Sequence, residues 1–319
     1  MASITARERV SYYLTDAYHF RFDNSLEPAL TIGSGDVVVV NTLEGYGGKI
    51  TRDSTVEDLA ALPWDAVHCL TGPIFVKGAE PDDVLKIEII DIEHDDWAWT
   101  AVFPGIGVLS DEFGDFHLQQ WRVGSDKRVE LMPGVRIPIE PFCGVMGVAF
   151  KDPGAHLTMP PRRTGGNIDT RHLIRGTTLY LPVDVPGALF SVGDGHLAQG
   201  DGEVCGTALE TNLVVTLRLS VHKGRSIRAP QFESFAPTTS KTQGMGYLST
   251  SSPGEDLQDD LRNAVRDMVD LLETDYGLSR LDAYLLCSVA GDARISVPVL
   301  GQSHTGFVTF NMPRTVFVG

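Results

Sequence analysis

Three carboxylates, one imidazole and four glycines fall within the thirteen residues from Ser191 to Glu203, Ser-Val-Gly-Asp-Gly-His-Leu-Ala-Gln-Gly-Asp-Gly-Glu. Asp194 and His196 are two apart, so on extended chain both project from one face, and the same parity pairs Asp201 with Glu203. A turn through Gln199 and Gly200 would bring all four side chains to one mouth. The glycines allow tight turns or close approach of backbone to a ligand. Imidazole nitrogen with carboxylate oxygen suits zinc, while carboxylates alone suit calcium or magnesium. Gly-Asp-Gly is also ordinary turn chemistry, since Asp closes Asx-turns with its own backbone. At this level both readings stand.

Other positions carry similar groups. Asn167 and Asp169, within Gly165-Gly166-Asn167-Ile168-Asp169-Thr170-Arg171-His172, share a face if extended, or else cap a turn. His68 follows Trp64-Asp65-Ala66-Val67 and is either a ligand or a hydrogen-bonded structural residue. Glu140 closes the apolar run Arg136-Ile137-Pro138-Ile139, where a carboxylate can be a general base with a raised pKa or a plain strand end. The four cysteines, Cys69, Cys143, Cys205 and Cys287, show no CxxC pair and read as reduced thiols. Cys143 is the least implausible thiol nucleophile. There is no G-x-S-x-G elbow, P-loop or complete dinucleotide fingerprint.

The elements that must position these groups are mostly strands. Val- and Ile-rich runs at Asp36 to Asn41, Val84 to Ile92, Val135 to Ile139, Thr177 to Val183 and Leu213 to Val221 read as strands. Pro153-Gly154 and Pro186-Gly187 punctuate them. Further on, Ser252-Pro253-Gly254-Glu255 has capping-box spacing. Leu257, Leu261, Ala264, Met268 and Leu271 then recur at helical spacing. Gly277 ends that helix, Ser279 caps a second, and a closing β-region runs from Ile295 to Val318, while Ser234 to Ser252 reads as loop. The expectation is an α+β, β-dominated fold: a β-sandwich or barrel-like core with C-terminal helices packed on it. It forms a single domain over residues 1–319, β-rich to 235 and helical with closing strands from 236.

The formal charge of −16 is a poor match for phosphate backbones or anionic membranes, so neither nucleic acid nor membrane is an expected partner. No apolar run approaches membrane-spanning length, and the first residues lack an apolar leader core, which points to a soluble cytoplasmic protein.

Taken together these stretches resemble the acetamidase/formamidase family. The resemblance is carried by HCLTGPIFVKGAEPDDVLKIEIIDI from His68, PIEPFCGVMGVA from Pro138, the long segment from Gly165 to Glu210, and the C-terminal helices. It implies a metal-assisted amidohydrolase that cleaves a short linear amide, formamide or acetamide in type, to carboxylate and ammonia, commonly as a homo-oligomer. By this resemblance Asn167 and Asp169 match a GGN-x-D motif, Asp194, His196, Asp201 and Glu203 match GDGH…QGDGE, and Glu210 is a closing glutamate. On that basis a divalent metal, zinc by preference, is held by Asp169, Asp194 and His196 together with His68. A second ion such as calcium goes to Asp201 or Glu210. Glu140 or Glu203 moves the proton, with Asn167 among the catalytic groups. Two segments depart from the family pattern, Asn41 to Tyr46 and His94 to Trp99, and leave the identity of the amide open. The rivals are a non-catalytic β-rich protein binding metal or a small ligand, and a hydrolase of a bulkier amide or cyclic C–N bond lined by His156, Met159, Trp97 and Trp99.

Overall fold

All five Val- and Ile-rich runs are strands in the computed structural model, which describes residues 11–63, 66–234, 245–297 and 306–317. They span Val37–Thr42, Val84–His94, Val135–Pro138, Thr178–Pro182 and Leu213–His222. Four belong to one six-stranded sheet, ordered Ser11–Leu14, Val37–Thr42, Leu213–His222, Val84–His94, Thr178–Pro182, Gln231–Glu233. Its pairs are antiparallel except the first. In Leu213–His222 buried residues alternate with half-buried ones, as expected when only one face is packed.

The second sheet runs Gly165–Asn167, Phe142–Val148, Phe190–His196, Leu70–Val76, Tyr18–His19, with Leu30–Ile32 added alongside Leu70–Val76. Its central strands Phe142–Val148 and Phe190–His196 are buried at every position, so both faces are covered. One face packs on the first sheet: Val38, Val40, Ile87 and Leu217 share a core with Ile74, Met146, Phe190 and Val192. Burying each such side chain contributes roughly 1.5–3 kcal/mol, which holds the two layers together. The fold is therefore the expected β-dominated α+β class, realised as an open two-sheet sandwich and not a closed barrel.

The C-terminal part packs Leu257–Tyr276 and Arg280–Ala290 against a three-stranded sheet of Tyr247–Gly254, Gly306–Pro313 and Asp292–Val297. Their core joins Val265, Val269 and Leu286 to Phe310 and Met312, and reaches Leu197 and Leu209 at the edge of the second sheet. Gly277 ends the first helix in left-handed conformation and the Ser279 side chain caps the second, both as expected.

The first helix starts later than its capping-box spacing suggests. Asp256 is the N-cap, accepting from the backbone N–H groups of Gln258 and Asp259. Ser252 instead lies in the strand Tyr247–Gly254, where its hydroxyl donates to the buried Asp260. The stretch read as loop thus contains a strand, because pairing with Gly306–Pro313 supplies partners that its local composition does not announce. Residues 235–244, 298–305 and 318 of the expected loop and closing region lie outside the described residues.

Candidate functional site

The site forms where the second sheet ends. Phe142–Val148 and Phe190–His196 run antiparallel, with Cys143 opposite Gly195 and Val145 opposite Gly193, which sets Gly144 across from Asp194. A Cβ at Gly144 would lie 2.6 Å from each of Asp169 Oδ1, Asp194 Oδ2 and His196 Cε1. Three side chains from two chain segments therefore converge on the space that this glycine leaves open. His196 Nε2 stands 3.4 Å from Asp194 Oδ2 and 3.3 Å from Glu210 Oε2, and His68 Nε2 is 3.8 Å from Asp194 Oδ2. Glu210 is placed by backbone hydrogen bonds with Trp99, which join Trp97–Val102 to the end of the second sheet.

Three of these acids occupy unusual backbone conformations. Asp169, Asp194 and Glu203 all have positive φ, at 37°, 59° and 43°. Left-handed backbone at a non-glycine residue costs roughly 1–3 kcal/mol and persists only where the surroundings over-determine it. The same-face parity of extended chain therefore does not apply to them. Asp169 and Glu203 reach the site from loops, and Asp194 from a twist within its strand.

The donor set suits a divalent cation. Asp169, His196 and Glu203, and likewise Asp194, His196 and Glu210, can each offer ligand atoms within 4.8 Å of one another. Asp169 Oδ1, Glu210 Oε2, His196 Nδ1, His68 Nδ1 and Asn167 Oδ1 are buried without a hydrogen-bond partner. Buried acceptors are rarely left unpaired, because each costs a desolvation penalty, and a cation satisfies several oxygens at once. Imidazole with carboxylates is a zinc-type set.

Electrostatics in the protein alone show the same strain. Burial pushes the Asp169 carboxyl up to about 8 against the pull of His196. Burial, reinforced by Asp169, raises Glu203 well above the usual carboxylate range. Burial works to raise Asp194 too, but His68 and His196 hold it down at about 2. Burial likewise opposes charge on His196, yet Glu210 and Asp194 lift its pKa well above the ordinary imidazole value. Burial pushes the Cys143 thiol up to about 12, so it is no thiolate nucleophile at neutral pH.

A cavity of about 220 Å³ is lined on its polar side by His68, Asn167, Asp169, Asp194, Glu203 and Glu210. Asn167 also works against burial in favour of the ionised Asp169 carboxyl. The facing wall is apolar and includes Tyr46, Trp99 and Met159. The two segments that depart from the family pattern thus both reach this cavity, although Trp97 packs behind the wall and His156 lies elsewhere, its Nε2 beside the carbonyls of Asp152 and Pro153.

The structure does not bring Glu140 or Asp201 into the cavity. Both face Arg171, which is 3% exposed: Nη2 is 3.5 Å from Glu140 Oε2, and Nη1 is 3.8 Å from Asp201 Oδ2 and 3.4 Å from Asp292 Oδ1. The expected turn through Gln199 and Gly200 is instead a docking point, where Gly200 N–H donates to the Ser288 carbonyl and Gln199 Nε2 to that of Asp169. Arg171 thereby ties the Asp169 and Glu203 loops to the C-terminal strand that begins at Asp292. Removing one partner of a buried ion pair leaves uncompensated charge and costs about 3–5 kcal/mol. Arg171→Met should therefore lower the unfolding free energy by that order, read by urea titration. A change under ~1 kcal/mol would contradict the assigned role.

Sequence reasoning did not single out Gly144 as the centre of the site, nor Val67, Phe103, Ile106, Gly206 and Thr207 in the lining. It also passed over Glu44 as an ionisable group. Glu44 is fully buried, accepts from Tyr46 and Gly48 N–H at 2.9 and 2.6 Å, and so holds the chain at Tyr46 against the cavity. Burial raises its carboxyl to about 7. A charged residue within an apolar and glycine-rich stretch, Leu43-Glu44-Gly45, was the available signal.

The family described as the Acetamidase/Formamidase family matches residues 8–155 and 150–318. The acetamidase of Mycolicibacterium smegmatis is 27% identical over 65% of this chain, and the match spans 66% of that relative's length. The structure of a gamma lactamase from Delftia acidovorans superposes with a TM-score of 0.87 at 25% identity, covering 95% of this chain and 90% of that one. An acetamidase from Bacillus halodurans gives a TM-score of 0.66 at 30% identity, covering 96% and 98%.

Proposed function

We propose that this chain, which belongs to the Acetamidase/Formamidase family, hydrolyses a carboxamide C–N bond with a divalent cation, zinc by the chemistry of its donors, held by Asp169, Asp194 and His196. The observation that carries this reading is the convergence of those three side chains on the space beside Gly144, with Asp169 Oδ1 and His196 Nδ1 buried and unpartnered. A cation there would supply Lewis acidity, polarising an amide carbonyl and bringing the pKa of water down towards about 7.

The chain's own residues do the rest. Asp194 stays ionised between His68 and His196. Asn167, which lines the cavity with Asp169, favours the ionised form of that carboxyl. Glu203 lines the cavity beside Asp169, where a carboxylate can accept a proton from water and later return it. It takes a proton from the attacking water as the new C–O bond forms. It then returns that proton to the nitrogen as the C–N bond breaks, releasing ammonia and a carboxylic acid that ionises in solution. Glu140, paired to Arg171 away from the cavity, has no part in this. Asp201 is turned away and both candidate ligand groups share His196, so a single cation is assigned, with Glu210 a neighbouring donor.

A second reading, a cyclic amide as substrate, is favoured by the similarity to the gamma lactamase structure. Ammonia release from formamide, acetamide and propionamide, beside chromatography of a γ-lactam, tests both. Exhaustive chelation should abolish turnover and added zinc restore it; full activity in metal-free protein would defeat the cation assignment. The proposal extends to a cytoplasmic homo-oligomer, checked by cell fractionation and light scattering.

A further inference from the structure

The apolar wall of the cavity does not belong to either structural core. Tyr46, Val67, Trp99, Phe103, Ile106 and Met159 all belong to a separate small cluster, distinct from the intersheet core and from the C-terminal core. Aromatic rings dominate it: Tyr46 lies 6.4 Å from Trp99 and 6.2 Å from Phe103 between centroids. The cavity therefore opens between a wall of carboxylates and imidazoles and a wall of aromatic and aliphatic side chains.

Its size adds a second constraint. Some 220 Å³ is far above the ~10–15 Å³ that a single water needs, so the cavity has room for more than a three-atom amide. Formamide has three heavy atoms, all polar or bonded to polar atoms, and nothing to place against an apolar wall. With the carbonyl and nitrogen at Asp169, Asp194 and Glu203, the acyl group is left the apolar part of the lining, which includes Phe103 and Ile106.

We infer that the substrate is an amide with a compact apolar acyl body, larger than acetyl, packed against Tyr46, Trp99, Phe103, Ile106 and Met159. This rests on the amidase reading above and narrows it. Whether the acyl carbons form an open chain or close a lactam ring makes no difference to that wall, so both belong to one substrate class.

The test is a panel of formamide, acetamide, butyramide, isobutyramide, benzamide and a γ-lactam on the metal-replete protein. The kcat/KM should rise about fourfold per added buried methylene from acetamide to butyramide. It should exceed that of formamide by at least ~10²-fold for the best of the larger substrates. The open-chain and lactam arms show which source the class comes from. In parallel, calorimetry should show butyrate and benzoate, the products, binding more tightly than acetate. Phe103→Ala should cut the preference for benzamide over acetamide at least tenfold. Ile106→Ala, less buried, provides the same readout if the first variant does not fold. A preference that is flat or falls with acyl size, with formamide still turned over, overturns this inference and leaves the amidase reading standing. Silence across the whole panel overturns both.

Discussion

Gly144→Ala is expected to lower amide turnover by at least ~10²-fold and to abolish divalent-cation binding in the same protein. The added methyl would sit 2.6 Å from Asp169 Oδ1, Asp194 Oδ2 and His196 Cε1, closer than real Cβ contacts come. Asp194 and His196 are buried and Asp169 is half-buried, so the three make room only by giving up their mutual geometry. Displacement of reacting groups by about 1 Å costs on the order of 10²-fold in rate. Isothermal titration with zinc gives a readout independent of turnover, and circular dichroism checks that the strand pair persists. A variant that binds zinc normally and keeps its turnover within threefold of the parent would show that the space beside Gly144 is not where the cation sits.

Glu203→Gln is expected to lower kcat by about 10²–10⁴-fold, the range for loss of a general acid–base, while zinc binding persists. The glutamine keeps the shape and can accept a hydrogen bond, but it cannot carry a proton between water and nitrogen. The split between the two readouts decides the role. Glu203 also lies within ligand distance of Asp169 and His196, so loss of zinc binding together with turnover would make it a ligand and leave the proton transfer to another group. Unchanged kcat would remove Glu203 from the mechanism.

These expectations depend on side chains whose types were legible in the sequence and whose grouping was not. The Gly-Asp-Gly-His segment and the Gly-Gly-Asn-Ile-Asp segment stood out because polar groups and glycines are dense there. Same-face parity paired Asp201 with Glu203, yet Glu203 enters the cavity and Asp201 faces Arg171. Backbone of positive φ at Glu203, Asp194 and Asp169 is the cause, and no periodicity reveals it. Glu140 looked like a base because it ends an apolar run, but its partner Arg171 lies 31 residues away and on another segment. The apolar wall was harder still to foresee. Phe103, Ile106 and Val67 lie in irregular chain, where a hydrophobic residue reads the same whether it fills a core or lines a cavity.

By itself the sequence determined the strand-rich class, the C-terminal helices with their Gly277 and Ser279 boundaries, and the acids and imidazoles available for chemistry. All of these depend on neighbours within a few residues: alternation for strands, three-and-four spacing for helices, side-chain caps at their ends. The tertiary structure alone decided that Asp169, Asp194 and His196 meet beside Gly144 with His68 next to Asp194, that Arg171 draws Glu140 and Asp201 away, and that an aromatic cluster lines the same cavity as the acids. Those outcomes depend on which strands pair and how loops dock across more than a hundred residues, and the free energy that selects them is shared among contacts that no local pattern encodes.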